Sequence, residues 1–269
     1  MATASNLKTR ILSALVLGPV AIGAIYLGGI AFFALIVIAF LVAQYEWLSL
    51  VAPKAPQWIS LATYAALLGI ALVAFLDGIT SGLGFTVAVA ILLFIVVRLA
   101  AAPGSIGIAL GIVYVGGTME AIVWLRELPG IGFGLTCFLF ALVWATDVGA
   151  YCAGRALGGP KLAPRLSPNK TWAGLIGGMI SAGIVGWLVA LGFSARLAIL
   201  AGVIAAVLAL IAQMGDLFES TLKRRAGVKD SGTLIPGHGG VLDRIDGLMA
   251  AALVLTAWQL ALGESLAWW

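Results

Sequence analysis

The chain of 269 residues is 62% hydrophobic and only 10% charged, with a formal net charge of +4 and a mean hydropathy of +1.15. Soluble domains carry roughly 25% charged residues, so these proportions exclude a single water-soluble core and indicate an all-α polytopic integral membrane protein. The modest positive charge is explained by membrane topology, and no nucleic acid is expected as a partner.

A transmembrane helix needs about 20 mostly apolar residues. In chain order the sequence offers about nine such segments: 11–27, 30–51, 59–76, 83–100, 105–125, 132–154, 172–193, 196–222 and 241–262. Gly28-Gly29, Pro53 with Pro56, Asp77-Gly78, Pro103-Gly104 and Pro129-Gly130 punctuate them. The apolar runs are continuous, unlike the alternating strands of a β-barrel, and abundant Gly and Ala suit close helix packing in lipid. Lys8 and Arg10 ahead of the first run also fit a secretory signal peptide. The length of that run, the second span directly after it and the lack of a convincing cleavage site favour a retained helix.

With the N-terminus cytoplasmic and the C-terminus outside, thirteen Lys and Arg fall on cytoplasmic segments and only Arg126 and Arg196 on the opposite side. This is a positive-inside distribution. Trp47, Trp58, Trp172, Trp258, Trp268 and Trp269 fall near predicted interfaces, as an aromatic belt would. Cys137 and Cys152 form no CxxC pair and read as small apolar helix residues.

The chain divides by polarity. Residues 1–130 supply about five spans of apolar scaffold, in which Glu46, Arg98 and Glu120 are the ionisable exceptions near predicted helix ends. Residues 131–269 form the expected catalytic region, with polar cytoplasmic loops at 155–171 and 223–240. Between 216 and 246 lie Asp216, Glu219, Lys223, Arg224, Arg225, Lys229, Asp230, Asp243, Arg244 and Asp246, together with the single histidine, His238.

Asp216, Ser220 and Lys223 share a helix face, as do Asp243 and Asp246 at i and i+3. Convergent carboxylates without thiols suit a hard, oxygen-seeking cation, Mg²⁺ before Zn²⁺; an interfacial salt-bridge cluster is the alternative reading. Lys223, Arg224, Arg225 and Lys229 beside Gly-rich turns are donors for phosphate oxygens, or else topology-setting contacts to anionic headgroups. Ser167 or Thr171 fits a helix cap. Asp147, inside a membrane segment, is a functional candidate or an ion-pair partner.

The stretch from Ser220 to Asp246 carries Ser220, Leu222, Lys223-Arg224, Lys229-Asp230, Gly232, Ile235-Pro236, His238-Gly239-Gly240-Val241 and Asp243-Arg244-Ile245-Asp246. This pattern resembles the signature of the phosphatidate cytidylyltransferases, also called CDP-diacylglycerol synthases. Met214-Gly215-Asp216, the Ser167–Thr171 loop and Ala145-Thr146-Asp147 agree with it, so the resemblance covers roughly residues 145–250. Ala173 departs from it, where an acidic residue is expected.

The resemblance implies CTP and phosphatidate as substrates and CDP-diacylglycerol and diphosphate as products. Mg²⁺ is the implied cofactor, with a second cation as an option. It implies Asp216, Lys223, Asp243 and Asp246 as catalytic residues, with Asp216, Asp243 and Asp246 on metal. Asp147, Ser167, Asn169, Lys170, Ser220, Arg224, Lys229, Asp230, His238 and Arg244 would bind substrate, Asp230 by orienting Lys229 or His238. The implied setting is the bilayer of a bacterial cytoplasmic (inner) membrane, with the site facing the cytoplasm and a homodimer as the family expectation. Two other readings are weaker. A CDP-alcohol phosphotransferase needs Ala-Arg after its Asp-Gly, and Asp246-Gly247 lacks it. A cation-coupled transporter predicts midplane polar groups and broken helices in both halves.

Overall fold

The computed structural model describes residues 15–16, 18–235 and 239–269, the side chains of 264–266 excepted. Among the described residues, eight helices are long and apolar enough to cross a membrane, which makes the chain an integral membrane protein. The first predicted span lies partly outside the described residues; its described part is the short apolar helix α1 (Gly18–Leu27).

Helices α2 (Gly29–Val51), α3 (Gln57–Asp77), α4 (Ile79–Leu99), α5 (Ser105–Gly111) and α6 (Gly117–Glu127) follow. Then come α7 (Gly132–Leu157), strands β1 (Lys161–Ala163) and β2 (Ser167–Thr171), and helices α8 (Trp172–Gly192), α9 (Ala198–Arg225) and α10 (Leu242–Leu266). Two details differ from the expectation. The span expected at 105–125 is not one regular helix, because a π-helical turn at Ile112–Gly116 joins α5 to α6. The loop expected at 155–171 contains the tail of α7 and an antiparallel hairpin.

The chain forms two compact units, one running to Glu127 and including Leu222–Ile245, the other comprising Leu128–Thr221 and Asp246–Trp269. In the first unit Leu48, Ala52, Ile59, Val97 and Ile108 build a core. Helices α3 and α4 are separated by Gly78 alone, whose φ of +82° favours glycine. Trp47 donates from Nε1 to the Gly107 carbonyl at 2.9 Å and packs on Tyr114 with ring centroids 5.8 Å apart. At 1% exposure Trp47 is a core anchor and not the interfacial residue expected. Arg126 Nε donates to the Ile25 carbonyl at 2.8 Å and so ties the end of α1 to α6.

In the second unit, small residues let the helix backbones approach. A Cβ on Gly174 would lie 2.9 Å from the Ala150 carbonyl, and one on Gly178 would lie 3.0 Å from the Thr146 carbonyl, so α7 and α8 touch along a glycine seam. Thr171 caps α8, accepting from the Gly174 amide at 3.0 Å. Trp268 is fully buried, against Phe138 at 5.8 Å between centroids. It too is a core residue and not part of an aromatic belt.

Candidate active site

Two polar clusters stand out, one in each unit. The first grows from the α9 and α10 backbones of the second unit. Asp216 and Glu219 are three residues apart on α9 and therefore share a face. Next to Asp216, a Cβ on Gly215 would lie 2.7 Å from the Asp246 carbonyl and 2.7 Å from Ala250 Cβ. Next to Asp246, one on Gly247 would lie 3.2 Å from the Ala212 carbonyl. The paired glycines bring the helices close enough that Asp216, Glu219 and Asp246 each place a carboxylate oxygen within 4.8 Å of the others.

Lys170, carried on β2, pairs with Asp216 Oδ2 at 2.5 Å. Ser220 Oγ donates to Asp216 Oδ1 at 3.3 Å, and the Gly247 amide donates to Asp246 Oδ1 at 2.7 Å. Two unit charges 4.8 Å apart, the upper bound of the carboxylate spacing here, repel by about 3–4 kcal/mol at an effective dielectric of ~20. One lysine does not balance three carboxylates. The donor set is all oxygen and convergent, and Glu219 is only 3% exposed. It therefore fits a hard divalent cation.

The second cluster lies in the first unit and orders the motif loop. Helix α9 ends in a Schellman motif: the Gly227 amide donates to the Arg224 carbonyl at 3.2 Å and the Val228 amide to the Lys223 carbonyl at 3.0 Å. Gly227 supplies the required positive φ of +73°. Lys223 Nζ donates to Asp243 Oδ1 at 2.7 Å, and both side chains are largely buried. The two Asp243 oxygens also accept from the amides of Ser231, at 3.1 and 3.0 Å, and Gly240, at 2.8 Å. Glu46, from α2, accepts from Ser231 Oγ and from the amides of Val241 and Leu242.

Asp216, Asp246, Lys170 and Ser220 are thus brought together, and so are Lys223 and Asp243. Ser167 and Asn169 lie on β2 with Lys170. Arg224, Lys229, Asp230 and Arg244 are exposed. Asp147, the candidate inside a membrane segment, lies on an exposed face of α7. His238 lies outside the described residues. Two residues were missing from the expected set. Glu219 was legible as the i+3 neighbour of Asp216, whereas Glu46 gave no clue beyond being a carboxylate in an apolar run.

A family model described as the cytidylyltransferase family matches residues 8–261. A protein of Brucella suis named phosphatidate cytidylyltransferase is 44% identical over 252 residues, covering 93% of this chain and 92% of its own. One of the same name from Pseudomonas aeruginosa is 37% identical over 272 residues, covering 96% and 98%. In the Haemophilus influenzae protein of that name the match is 50% over 129 residues, 46% of this chain and 44% of its own. With its family model spanning nearly the whole sequence and the Brucella and Pseudomonas relatives each covering more than nine-tenths of it, the chain belongs to the cytidylyltransferase family and is a nucleotidyltransferase.

Proposed function

We propose that the chain transfers the cytidylyl group of CTP to phosphatidate, releasing diphosphate and forming CDP-diacylglycerol, at the cytoplasmic face of a bacterial inner membrane. The convergence of Asp216, Glu219 and Asp246 carries this reading, because it supplies an all-oxygen cation site in a nucleotidyltransferase. The relatives' names supply the lipid substrate.

The chemistry needs little from a base. A phosphate monoester has a second pKa near ~6, so phosphatidate presents an ionised oxygen at neutral pH. That oxygen forms a bond to the α-phosphorus of CTP while the bond to the departing diphosphate breaks, and no proton has to be removed. The task is to bring polyanions together and offset their charge, which positioning and fixed electrostatics accomplish. When bound, Mg²⁺ supplies charge stabilisation to phosphate oxygens, and Asp216, Glu219 and Asp246 would hold it.

Lys170 offsets Asp216 and presents a cation from the hairpin. Lys223, steered by Asp243, presents a second ammonium to phosphate. Asp243 is assigned to the cation by resemblance alone, since its oxygens accept from Lys223 Nζ and the amides of Ser231 and Gly240. Lys229, Arg224 and Arg244 are exposed donors for the nucleotide phosphates, and His238 is assigned to the same task by resemblance. The positive-inside distribution supports the cytoplasmic orientation. Helices α8 and α9 return the chain to the face it left, consistent with Lys170 meeting Asp216.

The test is CTP-dependent formation of a lipid-soluble cytidine product by the purified protein with phosphatidate and Mg²⁺. The expected result is robust product for the natural chain and a loss of at least ~10²-fold for Asp246→Asn. Equal product from both, or none from either across a range of lipids and detergents, overturns the reading.

A further inference from the structure

We propose that Glu46, on the second helix and far outside the C-terminal motif, is a positioning residue that holds Ser231 and the Val241–Leu242 start of α10 and thereby sets Lys223 and Asp243 for the transfer reaction. The inference rests on that reaction being the chain's activity. Glu46 is 1% exposed. Its Oε1 accepts from the Val241 amide at 2.9 Å, and its Oε2 accepts from the Leu242 amide at 2.7 Å and from Ser231 Oγ at 2.9 Å.

Three features make this more than a buried salt-tolerant contact. First, α10 begins after Gly240-Val241, and neither residue has a side chain able to cap a helix. The amides of Val241 and Leu242, where the helix starts, are met instead by a carboxylate from another helix, which also suits the positive end of the helix dipole. Second, Ser231 is gripped from both sides, its hydroxyl by Glu46 and its amide by Asp243, so Glu46 reaches the Lys223–Asp243 pair through one residue.

Third, two motif glycines leave room for Glu46, Gly232 for it alone and Gly240 for it together with Ser231. A Cβ on Gly232 would lie 2.6 Å from Glu46 Oε1, and its nearest neighbours are all atoms of Glu46. A Cβ on Gly240 would run into Glu46 Oε2 and Ser231 Oγ. Neither glycine is among those with positive φ, so space and not backbone conformation requires them. Part of the C-terminal signature is therefore a complement to one N-terminal residue.

Glu46→Gln keeps the volume but removes one acceptor oxygen and turns an NH₂ toward N–H donors. In the full-length protein in detergent, hydrogen exchange of peptides covering 231–242 should accelerate on the order of tenfold or more, with α7 and α8 unchanged. The apparent KM for CTP should rise by about tenfold or more. A merely structural role would lower kcat in step with the folded fraction and leave KM alone. Ser231→Ala, which removes one of the three contacts without touching α2, should show the same pattern at smaller amplitude, and covers the case in which Glu46→Gln fails to fold. Gly232→Ala, crowding Glu46 from the other side, should raise KM as well. Unchanged exchange at 231–242 overturns the clamp whatever the enzyme does, and faster exchange with an unaltered KM overturns the positioning role. If the natural chain makes no CDP-lipid, the transfer reading fails, while the exchange result still decides whether Glu46 orders the loop.

Discussion

Gly215→Ala tests whether the approach of α9 and α10 creates the carboxylate cluster. The added methyl would lie 2.7 Å from both the Asp246 carbonyl oxygen and Ala250 Cβ. Comfortable carbon contacts are ~3.5–4.0 Å, so the two backbones must separate locally by roughly 1 Å. Overpacking of this kind costs about 1–3 kcal/mol of stability. Its effect on turnover should be sharper. A misplacement of ~1 Å can reduce a rate by ~10²-fold, and three carboxylates now within 4.8 Å of each other would be spread apart. The assay is CTP-dependent CDP-lipid formation titrated with Mg²⁺, normalised to folded protein. The expected result is a rate loss on the order of 10²-fold with a higher Mg²⁺ midpoint. Gly192→Ala is the control, since its Cβ meets nothing within 4 Å. A Gly215→Ala enzyme with the natural rate and Mg²⁺ midpoint would refute the link between helix approach and the cation site.

Glu219→Gln should raise the Mg²⁺ midpoint about tenfold or more, and chelation should abolish activity in both forms until Mg²⁺ is restored; Mg²⁺ titration checks it. Lys170→Met, which leaves Asp216 without its 2.5 Å partner, should reduce kcat/KM by about tenfold or more at unchanged expression, read from initial rates. In a Cys137→Ala/Cys152→Ala background, Arg165→Cys should react with an impermeant maleimide only when the cytoplasmic face is open, and Arg196→Cys only from outside. Reversed labelling contradicts the positive-inside orientation.

Much of the fold was readable because lipid imposes it. A bilayer demands long apolar helices, and α2, α3, α7, α8 and α10 lie within a few residues of the predicted spans. The π-turn at Ile112–Gly116 was not readable, since the apolar run Ile-Val-Tyr-Val continues the helical pattern on either side of it. The hairpin of 161–171 was hidden too, because a register of Lys161 with Thr171 depends on pairing across a short turn and not on alternation. Asp216 and Asp246 were legible as the charged residues of membrane helices. Glu219 follows from the same helical spacing and needed only Asp216 as a reference point. The two misplaced tryptophans show the limit of position along a span: Trp47 and Trp268 sit at helix ends, yet tertiary packing buries both.

The Glu46 contacts also impose an order of assembly. Its hydrogen bonds to Ser231, Val241 and Leu242 span 185, 195 and 196 residues of sequence, so no ribosome-bound fragment ending before α10 can make the full set. At synthesis rates of ~5–20 residues per second, roughly 10–40 s separate the appearance of Glu46 from that of its partners 195 residues on. Lys223 and Asp243 therefore acquire their fixed geometry at the very end of biogenesis. A nascent chain already spanning the membrane several times completes the Glu46 contacts only when α10 arrives.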